Sequence, residues 1–381
     1  MAMVLAVNAG SSSLKFAVFD DGEPLARRFA GSVERIGSAK AALTLDAGTP
    51  REVAAPDHAA ALALVLESLD ARGLAFEAVG HRIVHGGPRY LAPTRVDQAL
   101  LAELRRISPF DPEHLPAELS LIEAFERARP GLAQAACFDT AFHRDLPRES
   151  RLLPIPRKYE AEGIRRYGFH GLSYAYLTRA LAAEPGGLPS RLIIAHLGNG
   201  ASVAAIRDGR SIDTTMAFTP TAGLPMSRRS GDLDPGLVAY LARTEGMSPD
   251  KFHEMVNTRS GLLGISETSS DVRDLLAREA GDPRAAEALA VFCHAVKKTV
   301  GAYAAALGGL DALVFSGGIG EHAAPIRARI CDGLAFLGVA LDAQRNAAHA
   351  PLISAGRVAV RVMRTDEESE IARSTWEVLK R

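Results

Sequence analysis

Two stretches of this chain follow one plan, and that repeat limits the possible folds more than any single motif. Near the start an apolar run over residues 3–7 enters Asn8-Ala9-Gly10-Ser11-Ser12-Ser13. It leaves through Leu14-Lys15-Phe16-Ala17-Val18-Phe19 and turns at Asp20-Asp21-Gly22. Around residue 200 the same order returns: the apolar run Arg191 to Leu197, the turn Gly198-Asn199-Gly200-Ala201-Ser202, a second strand and Asp208-Gly209. Asp-Gly suits a tight hairpin because both central residues of such a turn take positive φ. Two like hairpins, one early and one mid-chain, imply two related domains whose glycine turns face one cleft. A length of 381 residues exceeds one ordinary hydrophobic core and fits that division.

Charge excludes several classes of partner. With 44 basic and 45 acidic residues, the chain has neither the basic excess of a nucleic-acid binder nor that of a membrane-surface protein. Its apolar runs fall short of a membrane span, and a basic leader before the first apolar run is missing, so a cytoplasmic location is expected. Cys137, Cys293 and Cys331 are far apart and read as buried thiols of a reducing compartment. His81 and His85 have a helical metal-ligand spacing. Arg82, however, stands where a zinc-protease motif carries glutamate, and Gly86-Gly87 follow at once, so zinc is set aside.

Helices and strands alternate as in an α/β protein. Asp57 can cap a helix whose Leu62, Val65, Leu66 and Leu69 share a face. Residues 78–84 form a strand ending at Gly86-Gly87, and residues 135–138 a short strand running into Asp139. Leu289, Phe292, Cys293, Val296, Val300, Tyr303 and Leu307 step by three or four and mark a long buried-face helix. A strand over Ala312–Ser316 then meets the glycine loop Gly317-Gly318-Ile319-Gly320-Glu321, followed by a helix over residues 324–334.

Several segments have the chemistry of a phosphate site. The first turn offers backbone N–H groups, hydroxyls and Lys15. It is not a Walker A loop, since it leads into a strand and lacks the second Gly before Lys and Ser/Thr. Gly198-Asn199-Gly200, preceded by His196, and Gly317-Gly318-Ile319-Gly320 allow close backbone approach of an anion or nucleotide. Arg82, Arg228 and Arg229 can clamp a phosphoryl group or a carboxylate. Asp139 ends an apolar strand, and Glu367 opens the last helix; either or both can hold Mg²⁺, which needs few carboxylates. His170, between glycines, can cap a helix, sit in the core or donate to a phosphoryl oxygen. Each residue alone also has a plain reading as a polar turn, a surface arginine or an acid favoured by a helix dipole.

Taken together, the segments resemble the acetate kinase family, the acetate and propionate kinases. The matching pieces are residues 7–16, Gly80-His81-Arg82-Ile83-Val84-His85-Gly86-Gly87, Phe138-Asp139-Thr140-Ala141-Phe142-His143 and Arg166-Tyr167-Gly168-Phe169-His170-Gly171. They continue with His196-Leu197-Gly198-Asn199-Gly200, Ser230-Gly231-Asp232-Leu233-Asp234-Pro235 and Gly317-Gly318-Ile319-Gly320-Glu321, in the family's order over nearly the whole chain. The resemblance implies an α/β fold of two related actin-like, ribonuclease H-like domains around a central nucleotide cleft. Residues 1–138 with 366–381 would form the N-terminal domain, and residues 139–365 a second, nucleotide-binding and dimer-forming one. It further implies a homodimer and Mg²⁺-dependent (or Mn²⁺-dependent) phosphoryl transfer between ATP and acetate or another short carboxylate, giving ADP and an acyl phosphate. By the same resemblance Asn8, Asp139 and Glu367 serve the metal, and Arg82, Arg229 and His170 the transferring group. Ser11, Ser13, Lys15, His196, Asn199 and Gly200 serve the phosphates. Asp271, Val272, Arg273, Gly318, Ile319 and His322 lie by the nucleotide, and Val84, Phe110, Phe169 and Pro220 form the pocket for the acid. Three places depart from the family: Ser108-Pro109-Phe110-Asp111-Pro112 loses a histidine and puts Phe110 for a leucine, Ser227-Arg228 replace Gly-Thr, and His322 stands where asparagine is frequent. A carboxylate already is a nucleophile, so positioning and charge stabilisation suffice for such a transfer.

Overall fold

The computed structural model describes residues 2–10, 12–22, 24–46 and 48–380; Ser11, one of the expected phosphate ligands, lies outside them. Among the described residues two sheets carry the fold. The first is built from β1 (Met3–Gly10), β2 (Ser13–Asp20), β3 (Arg27–Glu34), β4 (Ala42–Leu45), β5 (Arg51–Glu52), β6 (Ala78–Ile83), β7 (Thr94–Arg95) and β8 (Ala133–Phe138), in the order β5-β4-β3-β2-β1-β6-β8-β7. The second contains β9 (Arg191–Leu197), β10 (Ala201–Arg207), β11 (Arg210–Thr214), β12 (Ala312–Ser316) and β13 (Ala359–Val362), in the order β11-β10-β9-β12-β13. Both have one central plan. Three antiparallel strands in reverse chain order are followed by two parallel ones: β3-β2-β1-β6-β8 in the first and β11-β10-β9-β12-β13 in the second. The repeat seen in the sequence is thus a repeat of sheet topology.

The chain divides into two compact units. One comprises Met1–Arg144, Gly171–Tyr176 and Asp366–Arg381; the other comprises Asp145–His170 and Leu177–Thr365. Residues 139–144 and Gly171–Tyr176 therefore group with the first unit, although the sequence reading counts them in the second domain.

In the first unit β1 is buried on both faces at Val4, Leu5, Ala6 and Val7. A strand covered on both sides reads as a continuous apolar run rather than an alternation. One face packs Phe16, Val18 and Val79 against the helix His58–Asp70 and Phe125 of the helix Leu115–Ala128. Asp57 caps the former as expected, accepting from the Ala60 N–H at 2.8 Å, and Leu62, Val65, Leu66 and Leu69 are all buried. The other face is covered by the C-terminal helix Glu367–Leu379, whose Ile371 and Ala372 pack on Val4, Ala6, Ala17 and Cys137. Gly80 makes this contact possible: a Cβ there would lie 2.0 Å from Thr375 Oγ1 and 2.7 Å from Ile371 Cγ2.

In the second unit the helix Pro283–Leu307 buries all seven apolar residues that its spacing marks, and it packs on β9 and β10. It stops at Gly308, which takes φ +72° as a left-handed cap. Asp208 and Gly209 take φ +48° and +80°, the two-residue turn that Asp-Gly predicts. The Asp21-Gly22 connection is wider and closes by an Asp20 N–H to Ala26 carbonyl bond of 3.0 Å. The glycine loop after β12 is itself a short helix, Gly317–His322, and a second helix follows over Ala324–Cys331. All three cysteines are free and buried, and burial pushes the Cys137 thiol up to about 12.

Candidate active-site residues in the two units

In the first unit the candidate side chains gather at the ends of β1, β6 and β8. These are parallel neighbours, so their carboxyl ends fall together. Arg82, on β6, donates from Nε and Nη2 to Asp139 Oδ2 at 3.0 and 2.7 Å, and from Nη1 to the Ala9 carbonyl at 3.1 Å. Asp139 follows β8 directly, and its backbone N–H donates to the Ile83 carbonyl at 3.0 Å. The carboxylate is buried, yet Oδ1 has no hydrogen-bond partner. Burial disfavours the Arg82 charge, but Asp139 and then Glu367 outweigh it and hold the guanidinium above its ordinary pKa.

Glu367 enters from the C-terminal helix. Asn8 Nδ2 donates to Glu367 Oε2 at 2.9 Å and to Glu368 Oε1 at 3.2 Å. Burial raises the Glu367 pKa; Arg82 opposes the rise and Asp139 adds to it. Glu368 is raised by burial and by Glu367. Lys15, exposed and opposite Asn8 in the hairpin register, draws both acids down. Ser13 is half-buried across the turn from Gly10, where its Oγ would lie 2.9 Å from an added Cβ.

These residues fit a hard divalent cation. Asp139 has a buried oxygen left unpaired, Glu367 and Glu368 are crowded carboxyls that a cation would relieve, and Asn8 holds both acids. An all-oxygen set with few carboxylates suits Mg²⁺ better than a softer metal. Among the described residues, Asp111, Glu113 and His114 also have ligand atoms within 4.8 Å of one another. There Asp111 Oδ1 already sits 2.8 Å from His114 Nδ1 at the start of a helix, and Glu113 is exposed. A histidine, His114, lies two residues beyond Pro112, where the segment compared in the sequence reading ends.

Of the expected pocket residues, Val84 and Phe110 belong to this unit. Val84 is buried, and Phe110 sets its ring 5.6 Å from that of His85. Behind Val84 stands an acid that the sequence reading missed. Glu118 accepts from the Val84 N–H with both oxygens, at 3.2 and 3.1 Å. Burial pushes its carboxyl up to about 8 against the pull of Arg82. Its signal was an acid on the buried face of a helix, among Leu115, Leu119 and Ile122.

In the second unit His170, Gly200 and Arg229 converge. His170 takes φ +58° at the start of the helix Gly171–Ala182. Its Nδ1 lies 2.8 Å from Ser202 Oγ, and its ring is 4.4 Å from that of His196. A Cβ on Gly200 would fall 3.2 Å from His170 Nε2 and 3.7 Å from Arg229 Nη1, so glycine keeps this point open. Arg229 Nη1 also donates to the carbonyl of the buried Pro220 at 3.3 Å, and Phe169 is buried beside His170 in the chain. Ser227 donates from its N–H to the Asn199 carbonyl at 3.3 Å and from Oγ to Asn199 Oδ1 at 3.4 Å. A glycine there would lose the second bond. Arg228 is exposed.

The strand pair β9–β12 brings two glycine turns side by side. Ser316 pairs with His196, and a Cβ on Gly198 would reach the Gly318 N–H at 4.0 Å. Gly318 is exposed with free space about it, and Ile319 is half-buried. The Gly317 N–H of the same segment is already taken by Glu321 Oε1 at 3.0 Å. His322 is exposed at the far end of that helix. Asp271 caps the helix Val272–Arg278 through the Arg273 N–H at 2.8 Å and pairs with the Arg273 side chain, while Val272 is buried. Among the described residues no hydrogen bond or ion pair joins these three to the glycine turns.

Comparison with known proteins gives the family. Residues 3–373 match the acetokinase family. An acetate kinase of Streptomyces avermitilis is 45% identical over 98% of this chain and 96% of its own length. A propionate kinase of Citrobacter rodentium is 44% identical over the same shares of each. Among solved structures, a propionate kinase from Francisella tularensis superposes with a TM-score of 0.94 at 34% identity, covering 99% of this chain and 100% of that one. The acetate kinase of Porphyromonas gingivalis gives 0.89 at 36% identity, with both chains fully covered.

Proposed function

The chain belongs to the acetokinase family, and from that premise we propose that it is an acetate kinase. It passes the γ-phosphoryl group of ATP to acetate in one reversible in-line step. A carboxylate oxygen forms the new bond to phosphorus, the bond from phosphorus to the bridging oxygen breaks, and ADP leaves with that electron pair. The family match over nearly the whole chain carries this reading. The acetate carboxylate needs no general base, so the protein's task is to position two anions and offset their charge.

The residue roles we propose are those that the family resemblance implies. Asp139, Glu367 and Asn8 would hold Mg²⁺, with Mn²⁺ as a substitute, and the ion would neutralise phosphate oxygens. Arg82, fixed by Asp139 and the Ala9 carbonyl, orients the acid carboxylate. Arg229 and His170 donate to the equatorial oxygens of the transferring group. Ser11, Ser13, Lys15, His196, Asn199 and Gly200 bind the phosphates, and Gly318 and Ile319 with Asp271, Val272, Arg273 and His322 border the nucleoside. Val84, Phe110, Phe169 and Pro220 receive the alkyl end of the acid.

Propionate is the second reading, because similar relatives carry both names at nearly equal identity. One methylene in an apolar pocket is worth only about 1–3 kcal/mol, so kinetics must rank the acids. The test is acyl phosphate formation from ATP, Mg²⁺ and formate, acetate, propionate or butyrate. Acetate is expected to give the highest kcat/KM; a higher value for propionate would reassign the substrate, and no product from any acid would remove the kinase reading. Among the described residues no helix is long and apolar enough to cross a membrane, and we place the enzyme in the cytoplasm. We further propose a homodimer. The helix Gly236–Glu245 buries none of its residues and exposes Leu237, Val238 and Tyr240, a surface that a second copy would cover.

A further inference from the structure

Arg327, in the helix Ala324–Cys331, is the bulkiest fully buried side chain among the described residues. It has no carboxylate partner there, so neutral dipoles must offset its charge. Nη1 donates to the carbonyls of Gly320 at 2.8 Å and Glu321 at 2.9 Å. Nε donates to Asn346 Oδ1 at 2.8 Å, and Nη2 to the Asn346 carbonyl at 2.8 Å and to His349 Nδ1 at 3.0 Å. Arginine only donates, so His349 Nδ1 is the acceptor and the neutral ring carries its proton on Nε2. His349 reaches this position from φ +51°, a conformation that an ordinary residue adopts at a cost. Asn346 closes the set by donating from Nδ2 to the Ala324 carbonyl at 2.9 Å.

The segment so held is the glycine-rich helix Gly317–His322. Three of its six residues are glycine, and such a backbone has much conformational freedom to lose. Its last carbonyls meet a cation, as a helix C-terminus favours, and its first N–H is held by Glu321. Both restraints stay clear of Gly318, which remains exposed and unobstructed.

We propose that Arg327, with Asn346 and His349, is a positioning residue for nucleotide binding: it fixes the Gly317–His322 helix so that Gly318 and Ile319 present a preformed rim to ATP. This rests on the nucleotide reading of that segment. The restraint is set before binding, so it acts on nucleotide affinity and leaves the acid alone. Arg327→Lys keeps a charge but cannot serve acceptors spread over a guanidinium fork. It is expected to raise the KM for MgATP at least tenfold while the KM for acetate stays within twofold. His349→Gly removes this acceptor at a positive φ that glycine adopts freely, and it is expected to raise the KM for MgATP two- to fivefold without a lower melting temperature. A merely structural role would lower the melting temperature or the active fraction and leave the KM for MgATP of the folded variants unchanged; that result would overturn the inference. If Arg327→Lys does not fold, His349→Gly decides by the same criterion. Wild-type protein that binds no MgATP would overturn the nucleotide reading, and this inference with it. Normal binding by the wild type together with unchanged variants would overturn this inference alone.

Discussion

The two oxygens of Asp139 have different surroundings. Oδ2 receives the Arg82 fork, while Oδ1 is buried without a hydrogen bond. An unsatisfied buried acceptor costs about 1–3 kcal/mol, which a bound cation would offset. We therefore expect Mg²⁺ to raise the melting temperature of the wild type and to leave that of Asp139→Asn unchanged; equal shifts in both would remove Asp139 from the metal set. For Arg229→Ala we expect kcat to fall by roughly 10²–10³, as for loss of one transition-state donor, with the KM for ATP changed little. Equal losses in kcat and ATP affinity would refute that role. Glu118 tests the electrostatics. Its folded pKa, about 8, is above the ordinary carboxyl value, so the native state binds the extra proton and stability falls as pH rises from about 4.5 to about 8. Denaturation of Glu118→Gln against wild type should favour the variant more at pH 9 than at pH 5; a difference independent of pH would show that the acid is not held protonated. Asp139 stood out in the sequence as a charge ending an apolar strand, and Glu367 as an acid opening the last helix. Glu118 was not, because its meaning depends on which backbone N–H its helix face meets.

Elements were more legible than their junctions. The hairpin β1–β2, the cap at Asp57 and the long helix Pro283–Leu307 all follow from local pattern, since periodicity and capping are properties of neighbouring residues. The helix Gly317–His322 was hidden because three glycines read as a loop, and its last carbonyls are held by Arg327, which belongs to the following helix. Gly80 was equally silent. Only the structure shows the C-terminal helix seated on it, with room for a hydrogen and not for a methyl group. Gly80→Ala is predicted to destabilise the protein by about 1–3 kcal/mol, as overpacking does, and to raise the Mg²⁺ concentration needed for half-maximal rate because the helix that carries Glu367 must move. Chemical denaturation and a Mg²⁺ titration check both; unchanged Mg²⁺ dependence in a destabilised variant would uncouple the contact from the site.

On the scale of the whole molecule, light scattering of the wild type should give twice the 40.4 kDa of one chain, and the double substitution of Leu237 and Tyr240 by Glu should give a monomer. A monomeric wild type would remove the proposed homodimer. The duplicated sheet plan was legible at this scale because its two hairpins recur in sequence; the grouping of residues 366–381 with the first unit was expected only from the family resemblance, because it depends on contacts across the length of the chain. That grouping sets a timetable for synthesis. The helix Glu367–Leu379 covers one face of the first sheet, yet it leaves the ribosome about 230 residues after Phe138 completes β8. At ~5–20 residues per second, the bare face of Val4, Ala6, Ala17 and Cys137 waits roughly 10–45 s for its cover. A nascent chain is open to chaperones throughout that interval. It also lacks Glu367 until translation is nearly over, so a message that ends early yields a protein without its full set of acids.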